Sequence, residues 1–158
     1  MADAASELLS YRAMTIADLE AVMRIESRAY TFPWTRGIFS DCLRAGHDCR
    51  VAMRDGQIVG HAVLSAAVGE AHLLNVCVSR DLQGEGIGRD FVHHLIYRAN
   101  VLGAQDLFLE VRPSNYAAVA LYQSVGFVQV GVRKDYYPAT AGREDGWVMA
   151  LKVGEILQ

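Results

Sequence analysis

Residues 70–89 read EAHLLNVCVSRDLQGEGIGR, and the order of features in that stretch decides the fold. Glu70 to Val78 is an apolar run of strand length. Ser79 to Gly88 follows, rich in glycine. A helical pattern then opens, with Ile87, Phe91, Leu95, Ala99 and Leu102 on one stripe and Gly103 as its stop. Asp106 to Val111 is again a short apolar run. A strand, a helix and a second strand in this order predict a right-handed parallel crossover.

The rest of the chain is read outward from this unit. Leu8 to Met14 forms a short first strand. Thr15 with Asp18 has the pattern of a capping box, and Ile16, Leu19, Val22, Met23 and Ile25 follow at helical spacing. That helix ends before Phe32-Pro33-Trp34, and a second starts at Thr35 with Ile38, Phe39, Cys42 and Leu43. Arg50 to Arg54 and Gln57 to Ala67 flank Asp55-Gly56, a strong hairpin signal. Beyond the crossover, Ser114 caps a helix that runs to Val125 and stops at Gly126. Phe127 to Val132 and Trp147 to Val153 read as two closing strands. Hairpins are antiparallel, so the expected fold class is α/β: a mixed, mainly antiparallel sheet with one parallel βαβ crossover and helices on both faces. No repeat, low-complexity segment or linker interrupts the chain. A single domain is therefore expected over 8–153, with 1–7 and 154–158 as flexible termini.

Composition narrows the functional classes. The chain has 158 residues, 52% hydrophobic and 21% charged, enough for one core and too apolar for disorder. No apolar run approaches the roughly 18 residues of a membrane helix. The opening MADAASELLS carries two acids and no basic segment, so it is not a secretory signal. Cys42, Cys49 and Cys77 are odd in number and form no CxxC pair, which fits a reducing compartment. A cytoplasmic protein without a membrane partner is expected. A formal net charge of −3 and no window dominated by lysine and arginine argue against a nucleic-acid surface.

Gln83-Gly84-Glu85-Gly86-Ile87-Gly88-Arg89 lies between strand and helix. Glycines there let the backbone turn tightly and present N–H groups to an anion. The helix N-terminus behind them adds about half a positive charge, and Arg89 could add a full one. The plain alternative is a glycine-rich turn with no ligand. A Walker A loop needs Gly-Lys-Ser/Thr, which does not occur. A dinucleotide fingerprint would put its third glycine where Arg89 stands. Glu110 does lie about 20 residues on, as that fingerprint wants, but too little chain remains for its second half. The pattern that fits is Q-x-x-G-x-G, read as Gln83, Gly86 and Gly88. In it, and in the order of elements over nearly the whole chain, the sequence resembles the GNAT superfamily of acetyltransferases. The resemblance implies acetyl-coenzyme A as cosubstrate, with its pyrophosphate on this loop, and no metal.

Acetyl transfer to an amine requires loss of an ammonium proton, stabilisation of the thioester oxygen and protonation of the leaving thiolate. Leu107-Phe108-Leu109-Glu110-Val111 places one carboxylate in an apolar strand, where burial should raise its pKa towards that of a useful base. The other reading is a strand-end acid, solvated or paired with Arg112. Asn115 falls in the first turn of the following helix, where its side chain can meet a ligand. Tyr122 lies two turns on along the same face. Its phenol could protonate a thiolate, or its ring could simply fill the core. His93 and His94 read as surface and boundary residues, and Cys77 as a small mid-strand hydrophobe rather than a nucleophile.

Leu109-Glu110-Val111-Arg112, Ser114-Asn115, Ala120-Leu121-Tyr122 and Gly126-Phe127 are similar to the RimI-type ribosomal-protein-alanine N-acetyltransferases. So are Phe32-Pro33-Trp34, Asp135-Tyr136-Tyr137-Pro138 and Gly142-Arg143-Glu144-Asp145. This resemblance implies Glu110 as proton acceptor and Tyr122 as proton donor. It also implies coenzyme contacts from Val76, Cys77 and Val78, from Gly84, Glu85, Gly86, Ile87, Gly88 and Arg89, and from Asn115, with a backbone N–H near Val78 polarising the carbonyl. The amine attacks directly, in a ternary complex. Tyr136 and Tyr137 either pack a hairpin or, as the resemblance implies, line the acceptor groove, and the implied substrate is the N-terminal alanine of a small-subunit ribosomal protein. The working form is expected to be a monomer. The alternatives are a GNAT enzyme for a lysine or small amine, and a non-catalytic acetyl-coenzyme A-binding module.

Overall fold

The computed structural model describes residues 8–157; the expected flexible stretch 1–7 lies outside the described residues, as does residue 158. The strands are β1 (Ser10–Ala13), β2 (Asp48–Arg54), β3 (Gln57–Ala67), β4 (Glu70–Val78), β5 (Asp106–Val111), β6 (Val128–Ala139) and β7 (Gly142–Lys152). The helices are α1 (Leu19–Ala29), α2 (Arg36–Arg44), α3 (Ile87–Val101), α4 (Tyr116–Val125) and α5 (Val153–Ile156). The strands form one sheet in the order β1-β2-β3-β4-β5-β7-β6. β4 and β5 pair in parallel, from Glu70↔Asp106 to Leu73↔Leu109. β1 with β2, β2 with β3, β5 with β7 and β6 with β7 are antiparallel. This is the mixed sheet with one parallel crossover that the sequence predicts. Among the described residues, no helix is long and apolar enough to cross a membrane.

The chain divides into two compact units: residues up to Leu64 with Asn75–His94, and Ser65–Leu74 with residues from Leu95 onward. In the first, Leu19 and Val22 of α1 and Phe39 of α2 bury against Val51 and Val63 of the sheet. The capping box before α1 forms, with Thr15 N–H donating to Asp18 Oδ2 at 2.8 Å. Arg12 adds two guanidinium hydrogen bonds to the same carboxylate, at 2.7 and 2.8 Å. The Thr35 hydroxyl caps α2 by accepting from Ile38 N–H at 3.2 Å. Between β2 and β3, Asp55 (φ 53°) and Gly56 (φ 77°) both sit in the left-handed region. That pair of conformations matches the right-handed strand twist in a two-residue hairpin.

The second unit buries Leu107, Leu109 and Val111 of β5 on one face, with Val125, Phe127, Met149 and Leu151 also buried. Three sequence expectations change here. The cap of α4 is Asn115 rather than Ser114, because Asn115 Oδ1 accepts from Ala118 N–H at 3.2 Å. The closing hairpin extends well past Val132 and starts well before Trp147, with β6 reaching Ala139 and β7 beginning at Gly142. Most of β6 is exposed at the sheet edge, so its outer half needs no apolar alternation and shows none. Val153, read as the end of the last strand, opens the short helix α5, and its N–H donates to Gln105 O at 3.0 Å.

Candidate active site

In the first unit, the glycine loop is tied at both ends. Ser79 N–H donates to Val59 O at 2.8 Å, and Leu82 N–H to Ser79 O at 2.9 Å. Gln83 Nε2 donates to Val78 O at 3.1 Å, which folds the loop back onto the end of β4. Gly84 (φ 87°) and Gly86 (φ 85°) are both left-handed, and a Cβ on either would meet no protein atom within 4 Å. The backbone there faces open space. Ile87 is buried and anchors the start of α3, where Asp90 N–H bonds Gly86 O at 3.1 Å. The first N–H groups of a helix have no intrahelical acceptor, so together with Arg89 they suit an anionic diphosphate. Glu85 pairs with Arg54, Nη1 to Oε1 at 3.2 Å.

At the end of β4, Val76 O accepts from the Tyr30 hydroxyl at 2.6 Å. Cys77 is buried, and desolvation, with the nearby Glu26 charge, pushes its thiol up to about 12. It is a protonated small hydrophobe at neutral pH, as the sequence reading holds. Ligand atoms of Glu26, His61 and Cys77 lie within 4.8 Å of one another. Glu26 is engaged by hydrogen bonds: Oε1 accepts from His61 Nε2 at 2.9 Å and Asn75 Nδ2 at 3.2 Å, and Oε2 from Trp34 N–H at 3.0 Å.

The second unit holds Glu110, Asn115 and Tyr122. Glu110 is only 10% exposed in its side chain and is held at both oxygens. His72 Nε2 lies 2.5 Å from Oε2, and Arg133 Nε donates to Oε1 at 3.0 Å. Arg112 turns elsewhere. Its Nη1 donates to Glu144 Oε1 at 3.2 Å, and its guanidinium lies 4.5 Å from the Tyr137 ring centre. Glu144 also accepts from Ser114 N–H and Oγ–H, both at 2.9 Å. The Ser114 hydroxyl bond first, then its N–H and Arg112, hold the Glu144 carboxyl below its ordinary range. Tyr122 is buried, its ring edge-to-face with Phe127 at 5.6 Å. Asn115 spends its side-chain oxygen on the helix cap. His72, Arg133 and Glu26 are not singled out by sequence reasoning. The one signal for His72 is parity: opposite Phe108 in the parallel register, it shares a face with Glu110 two residues on.

The comparisons with known proteins agree with this geometry. Residues 19–127 match the model of the acetyltransferase (GNAT) family. The [ribosomal protein bS18]-alanine N-acetyltransferase of Escherichia coli K12 is 40% identical over 136 residues, covering 86% of this chain and 92% of the relative. The crystal structure of the ribosomal-protein-S18-alanine N-acetyltransferase from Escherichia coli superposes with a TM-score of 0.86 at 37% identity, over 92% of this chain and 94% of that one. The fold is shared with yncA of Salmonella typhimurium, solved with its cofactor acetyl-CoA (TM-score 0.75, 18% identity, 92% and 94% covered). A glycine loop opening a helix, a parallel crossover and a family model spanning most of the chain lead to one conclusion: this protein belongs to the GNAT family of acetyltransferases.

Proposed function

We propose that this chain is a cytoplasmic N-terminal protein acetyltransferase that transfers acetyl from acetyl-CoA to the α-amino group of the N-terminal alanine of ribosomal protein bS18. The observation that carries the reading is the 40% identity running through 86% of the chain and 92% of a relative named for that reaction. Residues 8–153 act as one catalytic domain and as a monomer, with no metal, nucleic acid or membrane.

Acetyl-coenzyme A supplies the activated acyl group. The Gly84–Arg89 loop holds its diphosphate through backbone N–H groups and the start of α3, supported by the open space beside Gly84 and Gly86. Val76, Cys77, Val78 and Asn115 complete the coenzyme contacts, and a backbone N–H near Val78 polarises the carbonyl. Glu110, directly or through water, takes the proton of the acceptor ammonium, and Tyr122 returns one to the departing sulfur. Tyr136 and Tyr137, packed edge-to-face at 4.8 Å, offer an aromatic surface to the acceptor peptide.

A terminal amine has an ordinary pKa near 8, and a lysine near 10.4, so deprotonating lysine at neutral pH costs about 3 kcal/mol more. Part of the selectivity is therefore intrinsic to the acceptor. The test compares kcat/KM for three acceptors: a peptide with the alanine terminus of bS18, its N-blocked version carrying a lysine, and a polyamine. The alanine peptide is expected to lead. Equal or better rates on the lysine peptide or the polyamine overturn the assignment.

A further inference from the structure

β4 and β5 run parallel with His72 opposite Phe108, and strand alternation puts His72, Phe108 and Glu110 on one face. On that face His72 Nε2 lies 2.5 Å from Glu110 Oε2, while Arg133, from β6, reaches Oε1 at 3.0 Å. Two bare lone pairs at 2.5 Å would repel, so a proton lies in that gap, and the Nε2–H donates to the carboxylate. Donors from two other strands, one at each oxygen, stop the carboxylate from rotating.

We propose that His72 is a positioning residue that aims Glu110 at the acceptor amine. The inference rests on Glu110 being the base. In the transfer, an N–H bond of the acceptor ammonium breaks, its electron pair stays on nitrogen, and the proton joins a Glu110 oxygen. His72 keeps its own proton throughout. It holds Oε2 by its Nε2–H, so the carboxylate plane is fixed when the ammonium arrives.

The experiment measures kcat, KM and calorimetric acetyl-CoA affinity for wild type, His72→Leu, His72→Gln and Glu110→Gln, with the alanine peptide. His72→Leu removes the donor and is expected to lose about tenfold or more in kcat with coenzyme affinity unchanged, the scale of a misplaced reacting group. His72→Gln keeps an N–H donor and should recover most of that loss. Where His72→Leu fails to fold, His72→Asn, whose amide is too short to reach Oε2, takes its place with the same expected loss. Wild-type turnover in His72→Leu or His72→Asn, or no recovery in His72→Gln, overturns the proposal. Wild-type turnover in Glu110→Gln overturns instead the reading of Glu110 on which it stands.

Discussion

Glu26 and His61 meet at 2.9 Å, Oε1 to Nε2, with side chains no more than 2% exposed. The same carboxylate takes the amide of Asn75 and the backbone N–H of Trp34, so one side chain of α1 ties together β3, β4 and the approach to α2. A buried donor that loses its acceptor bears its full desolvation cost. Glu26→Ala strands three such donors, at about 1–3 kcal/mol each. The melting temperature should fall by roughly 8 °C or more for a chain of this length. Scanning calorimetry measures it, and an unchanged Tm would mean that the hub contributes nothing.

Asp18 gives stability a second, pH-dependent handle. The Arg12 hydrogen bonds first, then the Thr15 N–H, hold its carboxyl at about 2 against an ordinary 3.8. A folded value below the unfolded one stabilises the native state above the unfolded pKa, and the gain is lost as pH falls through the folded one. The urea-midpoint gap between wild type and Asp18→Asn should hold steady from about pH 5 to 7 and close between about pH 4 and 2. A gap still fully open at the acid end would show that the Arg12 pair does not set it.

Gly86 separates loop strain from ligand contact. Its φ of 85° strains any L side chain by about 1 kcal/mol, yet a Cβ there meets no protein atom within 4 Å. Gly86→Ala should therefore fold, with a small loss of stability. It should also lose at least about tenfold in acetyl-CoA affinity, since the methyl group occupies the space assigned to the diphosphate, and tenfold is only about 1.4 kcal/mol. Gly46→Ala is the control: Gly46 has a φ of 80° and equally open surroundings, so it carries the same strain away from the loop. Equal calorimetric affinities in the two variants would remove the loop from the coenzyme site.

The crossover was legible in the sequence because each of its elements carries its own period: an apolar run, a glycine break and a helical stripe. The outer half of β6 was not, because an exposed edge strand needs no apolar face. It is polar through Lys134 and Asp135, and it is broken by a register shift between Arg133 and Tyr137. The same gap hid part of the site. Arg112 shares strand parity with Glu110, which left their pairing open as one alternative. Its partner Glu144 stands on β7 ahead of Trp147, where the sequence reading begins the last strand. Arg133 was lost for the same reason, on the unread half of β6. Asn115 was placed at the right turn, but its capping role was not read: its Oδ1 accepts from Ala118 N–H. Glu110 and Tyr122 stood out through family resemblance more than through their surroundings.

Those two residues carry the last prediction. Glu110→Gln keeps the size of the side chain and one oxygen acceptor, so coenzyme affinity should be retained. It removes the proton-accepting carboxylate, and kcat should fall by about 10² to 10⁴, the usual contribution of a general base. The deficit should shrink as pH rises past about 8, where a terminal amine is increasingly neutral without help. A deficit that stays flat with pH would make Glu110 a substrate-orienting group instead. Tyr122→Phe takes away one hydroxyl while leaving the ring against Phe127, so the folded variant reports on the hydroxyl alone. Turnover should slow all the same, because the departing thiolate then has to find its proton in water, and the slowing should be absent with an acyl donor whose leaving group is a weaker base. Wild-type turnover with acetyl-CoA in Tyr122→Phe would return the residue to the core, where its burial already places its ring.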